Sequence, residues 1–499
     1  MKPMHFDVAV LGAGFGGSLT ALILDRLGLK VAVIERGTHP RFAIGESSTP
    51  TADMVLRDLS NRYSLPNLMP ITSYGSWQQA YPELVCGPKR GFSYFAHQRG
   101  KEFQPTRTHT NELLVAASSD DAHADTHWLR SDVDAFFAKE VQSSGIFYSD
   151  KTEITKLTHA GSWIIEAEEK PLSLKAKFVI DATGPAAVLP KALNLEKRSL
   201  KTCSRAIYAH FEGVEPWEHI LAEKQAAIGD HPFCCDRSAL HHILDEGWMW
   251  QLRFNNGVTS AGFVLDENKC PDSGMSAEDE WQNLLSRYPS IARQFQSAKV
   301  VAPETGIQKT DRLQRLRSRA AGDNWALLPH TAGFIDPLNS TGIAHTLCGI
   351  ERLTSTLGDH WGKSSLAEEL KKYDQCLQSE FSLIDRLTSG AYRSMENFRL
   401  FTTFNMLYFA AATTYERGRI SNSLGSTAAF LCADDVGFSK LVYELLDELN
   451  QLVDCPPYAE EDIATFERTV AERITPFNKV GLFDPAANNM YRYTAAMSK

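Results

Sequence analysis

The sequence lacks the features of a membrane-embedded or secreted protein. Its 499 residues contain no apolar run that approaches the roughly 20 residues needed to span a bilayer. We expect no signal peptide, because Asp7 and several glycines interrupt the first apolar run. The nine cysteines are odd in number and show no CxxC spacing. That usage predicts reduced thiols and a cytoplasmic protein.

Basic clusters and metal-ligand patterns are also scarce. Lysine and arginine total 51 against 61 acidic residues, for a net charge of −10, which predicts neither a nucleic-acid partner nor an anionic membrane partner. His241 and His242 are adjacent, so their side chains diverge, and there is no H-E-x-x-H or clustered Cys/His set. The sequence therefore predicts no metal site. A G-x-S-x-G elbow for serine hydrolysis is missing too.

A glycine-rich turn near the N-terminus carries the strongest positive signal. An apolar strand runs into Gly12-Ala-Gly14-Phe15-Gly-Gly17, and a helix and a second apolar strand ending in Glu35 follow. Gly12 suits the tight turn, Gly14 lets backbone approach a pyrophosphate, and Gly17 lets the helix pack against the strand. The phosphates would lie on the helix N-terminus, with Glu35 accepting from ribose hydroxyls. This pattern predicts a dinucleotide site.

The rest of the chain predicts an α/β protein with a second, β-rich part. A strand-like run at residues 176–184 and a segment at residues 325–342 belong to the nucleotide side, with a helix near residues 131–142. Alternating apolar and polar runs predict an antiparallel sheet with one buried face, at residues 91–96, 205–211 and 248–265. A helical region starts near residue 365. The predicted boundaries are a nucleotide domain at 1–78, 110–195 and 300–364, a β-rich substrate domain at 79–109 and 196–299, and a helical region at 365–499.

Four motifs carry a resemblance to a known family. The turn Asp181-Ala-Thr-Gly184 resembles that of FAD-dependent oxidoreductases with the aromatic-hydroxylase fold. H-P-R-F-A-I-G-E-S-S-T-P (residues 39–50) resembles the GE-x-x-x-P region of flavin-dependent halogenases, and C-G-P-K-R-G-F-S-Y (residues 86–94) resembles their lysine segment. F-I-D-P-L-N-S-T-G (residues 334–342) is similar to their F-x-x-P-x-x-S-x-G motif. The similarity is nearest to the phenol-type members, so it implies a Rossmann-like FAD-binding domain with an inserted substrate sheet.

The resemblance also implies site residues. In the family, reduced FAD and oxygen convert halide into hypohalous acid, and a lysine directs that oxidant to an electron-rich ring; here the lysine is Lys89. Thr341 and Gly342 correspond to the halide site, for chloride or bromide. The implied FAD-binding residues are Gly12, Gly14, Phe15, Gly17, Glu35, Arg41, Glu46, Arg130, Asp181, Gly184, His330 and Pro337. The implied substrate-pocket residues are Trp248, Trp250, Phe334, Asn339 and Ser340.

The same resemblance also implies a partner protein and a class of substrate. The chain has a single dinucleotide fingerprint and none for NAD(P)H, so a separate flavin reductase is expected to supply reduced FAD. The substrate would be a small aromatic molecule, with a phenol favoured because Asn339 stands where tryptophan halogenases carry a glutamate. The sequence predicts no oligomeric state.

Further departures keep other functions open. The family box W-x-W-x-I-P is here Trp248-Met-Trp250-Gln-Leu252-Arg253, and Arg253 favours an FAD monooxygenase or dehydrogenase as the alternative. A third hypothesis is that the chain is an accessory flavoprotein that modifies a partner protein. The usual Gly-Asp-Ala-Ala turn is replaced by Leu-Pro-His330, which leaves His330 as the candidate flavin partner. A stripe of aromatics at helical spacing predicts core packing or a pocket lining, and comprises Phe398, Phe401, Phe404 and Tyr408.

Overall fold

The computed structural model describes residues 3–168, 172–425 and 427–492. The strands are β1 Met4–Leu11, β2 Val31–Ile34, β3 Cys86–Lys89, β4 Gly91–Ala96, β5 Glu112–Ala116, β6 Asp125–Trp128, β7 Phe147–Ser149, β8 Lys156–His159, β9 Trp163–Ala167, β10 Leu172–Asp181, β11 Ser204–Glu212, β12 Ala239–Leu244, β13 Gly247–Arg253, β14 Thr259–Asp266, β15 Lys299–Ala302, β16 Gln308–Lys309, β17 Arg315–Leu316, β18 Ala321–Gly322, β19 Trp325–Leu327, β20 Gly333–Phe334 and β21 Met490–Tyr491.

Fourteen α-helices occur in the same ranges. They are α1 Phe15–Arg26, α2 Pro50–Arg62, α3 Tyr74–Ala80, α4 Arg130–Ser143, α5 Val188–Ala192, α6 Trp217–Glu223, α7 Ala277–Ser286, α8 Pro289–Gln294, α9 Pro329–Ala332, α10 Thr341–His360, α11 Leu366–Ser394, α12 Phe398–Ile420, α13 Val436–Val453 and α14 Glu460–Arg473. None of these helices is both long and apolar enough to cross a membrane.

The first sheet is the nucleotide sheet. Its strand order is β18-β19-β10-β1-β2-β7, and β9 and β8 extend it from β10. The central pairs are parallel: β1 with β10 and β2, β2 with β7, and β10 with β19. The residues of β2 are all buried, as continuous valine- and isoleucine-rich runs in parallel sheets require. The predicted α/β nucleotide-binding architecture is confirmed.

The second sheet differs from the expectation in its burial. Its order is β15-β11-β14-β13-β12-β4-β5-β21, antiparallel apart from β12 with β4 and β21 with β5. Every residue of β14 and nearly every residue of β13 is buried. The prediction of a single buried face was therefore wrong. One face packs under α7 and α8 through Trp281 and Ile291, and α12 covers part of the other face through Tyr408 and Phe409.

The sheet memberships also differ from the predicted segment boundaries. Strand β5, expected on the nucleotide side, forms an antiparallel hairpin with β4 in the second sheet. Strands β15 and β16 pair with β11 of the same sheet. All five residues of β5 are buried, with β4 and β21 as its neighbours in that sheet. The helical region after residue 365 is as predicted, with α11 packed on α12 and α13.

Candidate active site

The glycine-rich turn connects β1 to α1 as predicted. Gly12 has φ +95°, and a Cβ there would lie 2.7 Å from the carbonyl oxygen of Ala182. A Cβ on Gly17 would overlap the carbonyl oxygen of Gly12. Only glycine fits these two positions, because the chain passes too close and, at Gly12, adopts a left-handed conformation.

Glu35 fixes this turn from the end of β2. Its carboxylate accepts hydrogen bonds from the backbone N–H of Ala13 and of Gly37, each at 2.8 Å. The guanidinium of Arg41 lies 3.7 Å away. The carboxylate is nearly buried, so it holds the turn and the following loop in place; ribose binding by Glu35 stays a prediction.

Arginines surround the N-terminus of α1. Arg130 makes a two-point ion pair with Asp134, with both N···O distances 3.0 Å, and Asp134 also accepts from the N–H of Phe15 at 3.1 Å. Around the Cβ position of Gly14, an Asp134 carboxylate oxygen lies at 3.4 Å, and side-chain nitrogens of Arg130 and Arg41 lie at 3.8 and 3.9 Å. Two arginines, one of them paired with Asp134, thus lie at the helix start where a pyrophosphate would bind.

The turn after β10 packs against His330. Asp181 accepts from the N–H groups of Thr183 and Leu189, both at 2.7 Å, and burial raises the pKa of its carboxyl. The His330 ring lies 3.5 Å from the Cβ position of Gly184, and Nε2 contacts the carbonyl oxygen of Ala182 at 3.1 Å. Burial lowers the pKa of His330 to about 4, so its imidazole is neutral at pH 7.

Lys89 is the last residue of β3 and is completely buried. Its Nζ donates to the carbonyl oxygen of Ser48 at 2.6 Å and lies 4.0 Å from the ring centroid of Phe92. Residues 47–48 bridge to β6, which pairs with β3, and this places Ser48 beside the lysine. The two motifs that contain Ser48 and Lys89 thus meet in one site.

Two neutral histidines accompany the lysine. Burial first, and then the nearby Lys89 ammonium, lower the pKa of His127 to about 3. The pKa of His241 is also lowered to about 3, mainly by burial. His241 stacks on Tyr94 with a centroid distance of 4.5 Å, and its Nδ1 lies 3.1 Å from the carbonyl oxygen of Ser93. The two imidazoles beside the lysine are therefore uncharged at pH 7.

Aromatic side chains form a wall beside Lys89. Phe92 and Tyr94 follow it on β4, and their rings contact Tyr408 and Phe401 of α12 at 6.0 and 5.6 Å. The buried hydroxyl of Tyr94 has no hydrogen-bond partner among the described residues. Part of the predicted aromatic stripe thus faces the lysine cluster, while Phe404 packs over Gly390 in the core.

The segment at residues 334–342 leads into α10. Ser340 has φ +50° and donates its hydroxyl to that of Ser47 at 3.1 Å, so it does not cap the helix. Thr341 and Gly342 are the first two helical residues, whose N–H groups have no partner within a helix. A Cβ on Gly342 would meet no described atom within 4 Å. Open space therefore lies at this positive helix end.

Buried polar groups hold this segment. Asp336 accepts from Ser204 Oγ at 2.8 Å and from Tyr392 OH at 2.9 Å, and Trp248 Nε1 donates to Tyr392 OH at 3.0 Å. Burial raises the pKa of Asp336 to about 6. Asn339 Oδ1, also buried, has no hydrogen-bond partner among the described residues.

The altered tryptophan box places its arginine away from the lysine cluster. Trp248, Trp250 and Leu252 share one face of β13 and join the main core, whereas Arg253 alternates to the other face. The Arg253 guanidinium pairs with Asp236 at 2.7 Å and donates to two backbone carbonyls, of Val214 and Glu215. Arg253 thus anchors a neighbouring loop rather than entering the site.

The remaining predicted residues lie nearby but in distinct contacts. Glu46 pairs with His210 at 2.8 Å, and Trp250 Nε1 donates to Ser260 Oγ at 3.1 Å. The Phe334 ring lies 5.3 Å from the Arg315 guanidinium, and the Pro337 carbonyl accepts from the Ser340 N–H. Sequence reasoning missed Ser48, Tyr392 and His241 as site residues. Ser48 lies inside the motif at residues 39–50 but acts through its backbone carbonyl oxygen, and no motif marks Tyr392 or His241, whose partners are distant in sequence.

These residues fit FAD. The α1 N-terminus with Arg41 and Arg130 suits the pyrophosphate, Glu35 follows β2 beside it, and a Cβ on Gly342 would meet no described atom within 4 Å. A halide would find the first N–H groups of α10 at the same opening.

Comparison with known proteins agrees with this arrangement. The tryptophan halogenase family model matches residues 123–397. The chain is 30% identical to monodechloroaminopyrrolnitrin halogenase PrnC of Pseudomonas fluorescens over 94% of this chain and 85% of that protein. It is 27% identical to tetracycline 7-halogenase of Kitasatospora aureofaciens over 97% of this chain and 90% of that one.

A solved structure shows the same fold. Halogenase PltM in complex with phloroglucinol and FAD superposes with a TM-score of 0.85 at 23% identity, over 98% of this chain and all of that one. With the family match, these findings make the chain an FAD-dependent enzyme of the aromatic-halogenating type, and they do not favour the monooxygenase alternative. The chain belongs to the flavin-dependent halogenase family.

Proposed function

We propose that this halogenase transfers chlorine or bromine to a phenolic ring and that Lys89 directs the transfer. The observation that carries the proposal is the position of Lys89: completely buried, fixed by Ser48 and set against an aromatic wall.

The chain's own groups bind the reactants. Arg41, Arg130 and the α1 N-terminus hold the FAD pyrophosphate, and the first N–H groups of α10 hold the halide. When bound in reduced form, FAD supplies the electrons with which oxygen turns halide into hypohalous acid. Thr341 and Gly342 set the halide position because their N–H groups point out of the helix start.

Lys89 then positions the oxidant. Its ammonium donates a hydrogen bond to the oxygen of hypohalous acid, which directs the halogen atom toward the ring. The ring carbon attacks the halogen, the oxygen–halogen bond breaks, and the leaving hydroxide takes the lysine proton to become water. The ring carbon then gives its proton to the Lys89 amine, which restores the ammonium, so the net products are the halogenated arene and water. The carbonyl oxygen of Ser48 holds Nζ in place through the cycle.

A phenol fits this site better than an unactivated ring. Asn339 carries no charge, so it cannot stabilise positive charge that develops on the ring. A hydroxyl-bearing ring supplies that stabilisation itself. The phenolic ligand phloroglucinol in the PltM structure supports this substrate class.

The supply of reduced FAD comes from a second protein. The chain holds one dinucleotide turn, and we assign it to FAD, which leaves NAD(P)H oxidation to a separate flavin reductase. All nine cysteines are free thiols, and this supports a location in a reducing compartment such as the cytoplasm.

A substrate screen tests the proposal. The protein is incubated with chemically reduced FAD, oxygen and bromide, together with an equimolar pair of resorcinol and tryptophan, and products are read by the bromine isotope pattern. We expect brominated resorcinol in excess. Preferential bromination of tryptophan would refute the argument from Asn339, and hydroxylated products without bromide incorporation would refute halogenation.

A further inference from the structure

Three side chains with metal-ligating atoms meet at the edge of the second sheet, apart from the lysine cluster. His109 precedes β5, Glu112 begins β5, and His231 follows a 3-10 turn at Ile228–Asp230. One ligand atom from each lies within 4.8 Å of the other two. Glu112 is paired with Phe95, at the opposite end of the β4–β5 hairpin from the start of β4 next to Lys89. The cluster is therefore distinct from the proposed active site.

The carboxylate of Glu112 lies between the two imidazoles. Its Oε2 is 3.0 Å from His231 Nε2, and its Oε1 is 3.5 Å from His109 Nδ1. The other ring nitrogen of His109 faces the carboxylate of Asp230 at 3.4 Å. A metal-ligating histidine commonly donates its second nitrogen to a carboxylate in this way, which orients the ring and fixes its tautomer.

The same cluster contains buried polar atoms that the protein does not satisfy. Among the described residues, His109 Nδ1, Glu112 Oε1 and His231 Nδ1 have no hydrogen-bond partner. The side chains of His109, Glu112 and His231 are only 2%, 1% and 2% exposed, so water does not reach them freely. A buried polar atom that is left unpaired destabilises the folded state. A bound cation would satisfy lone pairs of all three residues at once.

We propose that His109, Glu112 and His231 bind a divalent transition-metal cation, zinc above all, at a structural site. Two imidazoles and one carboxylate occur together as three protein ligands of zinc, with a water molecule as the fourth ligand. Zinc–ligand distances of about 2.0–2.2 Å place ligand atoms roughly 3.3 Å apart, so separations of up to 4.8 Å in the present cluster need to shorten by up to about 1.5 Å. No sequence motif predicts this site, because His231 lies 119 residues from Glu112 in the sequence.

The ion would link three segments. Asn489 donates to the carbonyl oxygen of His109 at 3.0 Å, next to β21, which pairs with β5. Metal bound by the cluster would therefore tie the loop before β5 and the segment at residues 228–231 to the same sheet edge as the C-terminal strand. Its effect is on stability, since binding to the folded state alone stabilises that state.

Metal titration tests the proposal. The full-length protein is stripped with a chelator, dialysed and titrated with zinc chloride, with zinc content read by elemental analysis and stability by thermal unfolding. We expect one zinc per chain and a rise in Tm. Cobalt in place of zinc should give the visible absorption of a four-coordinate site. Asp230→Asn should weaken binding by about 10–100-fold, because it removes the group that orients His109.

Variants separate this cluster from adventitious binding. We expect the bound zinc and the zinc-dependent rise in Tm to be lost in Glu112→Gln and also in His231→Asn. If Glu112→Gln does not fold, the result for His231→Asn tests the proposal. His123→Asn is the matched control, because His123 and Asp120 form an exposed pair with the same spacing as His109 and Glu112. Absence of saturable zinc binding in the wild type, or equal binding by Glu112→Gln, His231→Asn and wild type, would overturn the proposal.

Discussion

The ammonium of Lys89 lies 2.6 Å from the carbonyl oxygen of Ser48, across 41 positions of sequence. This hydrogen bond joins the lysine segment to the motif at residues 39–50. It also restricts the lysine to one direction, because the neighbouring Phe92 ring covers another side at 4.0 Å. A donor fixed in this way suits the delivery of a reactive oxidant to a single ring position.

Substitution of Lys89 should abolish halogen transfer while FAD binding remains. Lys89→Met preserves the buried aliphatic length and removes the charge, and Lys89→Arg retains charge in a bulkier group that does not deprotonate. We expect halogenated product to fall by about 100-fold or more, which corresponds to about 2.7 kcal/mol of barrier. Product formation and flavin binding are measured in parallel. Activity within a few-fold of wild type in Lys89→Met would show that another group directs the oxidant.

A side chain at Gly14 should block FAD binding without straining the backbone. Gly14 has φ −64° and ψ 174°, which any residue adopts, and its Cβ position faces Arg130, Asp134 and Arg41. Gly14→Val would therefore fill the phosphate space. We expect FAD affinity, measured by flavin fluorescence, to drop strongly. Gly229→Val is the control, since a Cβ there meets no described atom within 4 Å. Unchanged affinity in Gly14→Val would disprove this placement of the pyrophosphate.

The protein alone should not consume NADPH at a useful rate. The single dinucleotide turn is assigned to FAD, so hydride transfer from a nicotinamide needs a second protein. NADPH absorbance is followed with FAD, bromide and a phenol, first without and then with a flavin reductase. We expect consumption and brominated product only in the second case. Rapid unassisted oxidation would instead favour a self-sufficient monooxygenase.

Arg253 should affect stability rather than the reaction type. Its guanidinium is bound by Asp236, Val214 and Glu215, on the face of β13 opposite to Trp248. Arg253→Met should lower the free energy of unfolding by about 1–3 kcal/mol, through lost charged hydrogen bonds. The ratio of halogenated to hydroxylated product should stay as in the wild type. A shift of that ratio toward hydroxylation would place Arg253 in the reaction after all.

Acid should destabilise the fold through buried histidines. Burial lowers the pKa of His97, His127 and His241 to about 3, below the usual value near 6.5 that they recover on unfolding. Their stabilising contribution is present above pH 6.5 and is lost as pH falls toward 3. For each of these histidines, we expect the free energy of unfolding to fall by about 1.4 kcal/mol between pH 7.5 and pH 5.5.

Denaturant unfolding at a series of pH values measures this effect. His97→Gln should remove the contribution of one histidine to the acid-induced loss of unfolding free energy. An equal slope for His97→Gln and wild type would show that His97 is not a neutral buried group in the folded state.

The sequence by itself determined the nucleotide turn, the α/β class, the helical C-terminal region and the family. These features depend on local rules. The backbone passes so close to positions 12 and 17 that only glycine fits there, and buried parallel strands have continuous apolar sequences. The resemblance of three motifs also identified Lys89 as the residue to examine. Motif spacing was sufficient here because each motif is a short, continuous piece of chain.

Only the tertiary structure decided which groups meet. Alternating residues in β13 show that Trp248 and Arg253 face opposite ways, but not that helices cover both faces of the sheet. The bonds from Trp248 to Tyr392 and from Tyr392 to Asp336 join residues 144 and 56 positions apart. The physical reason is that burial of a polar group obliges it to find a partner, while packing of distant elements selects which partner that is.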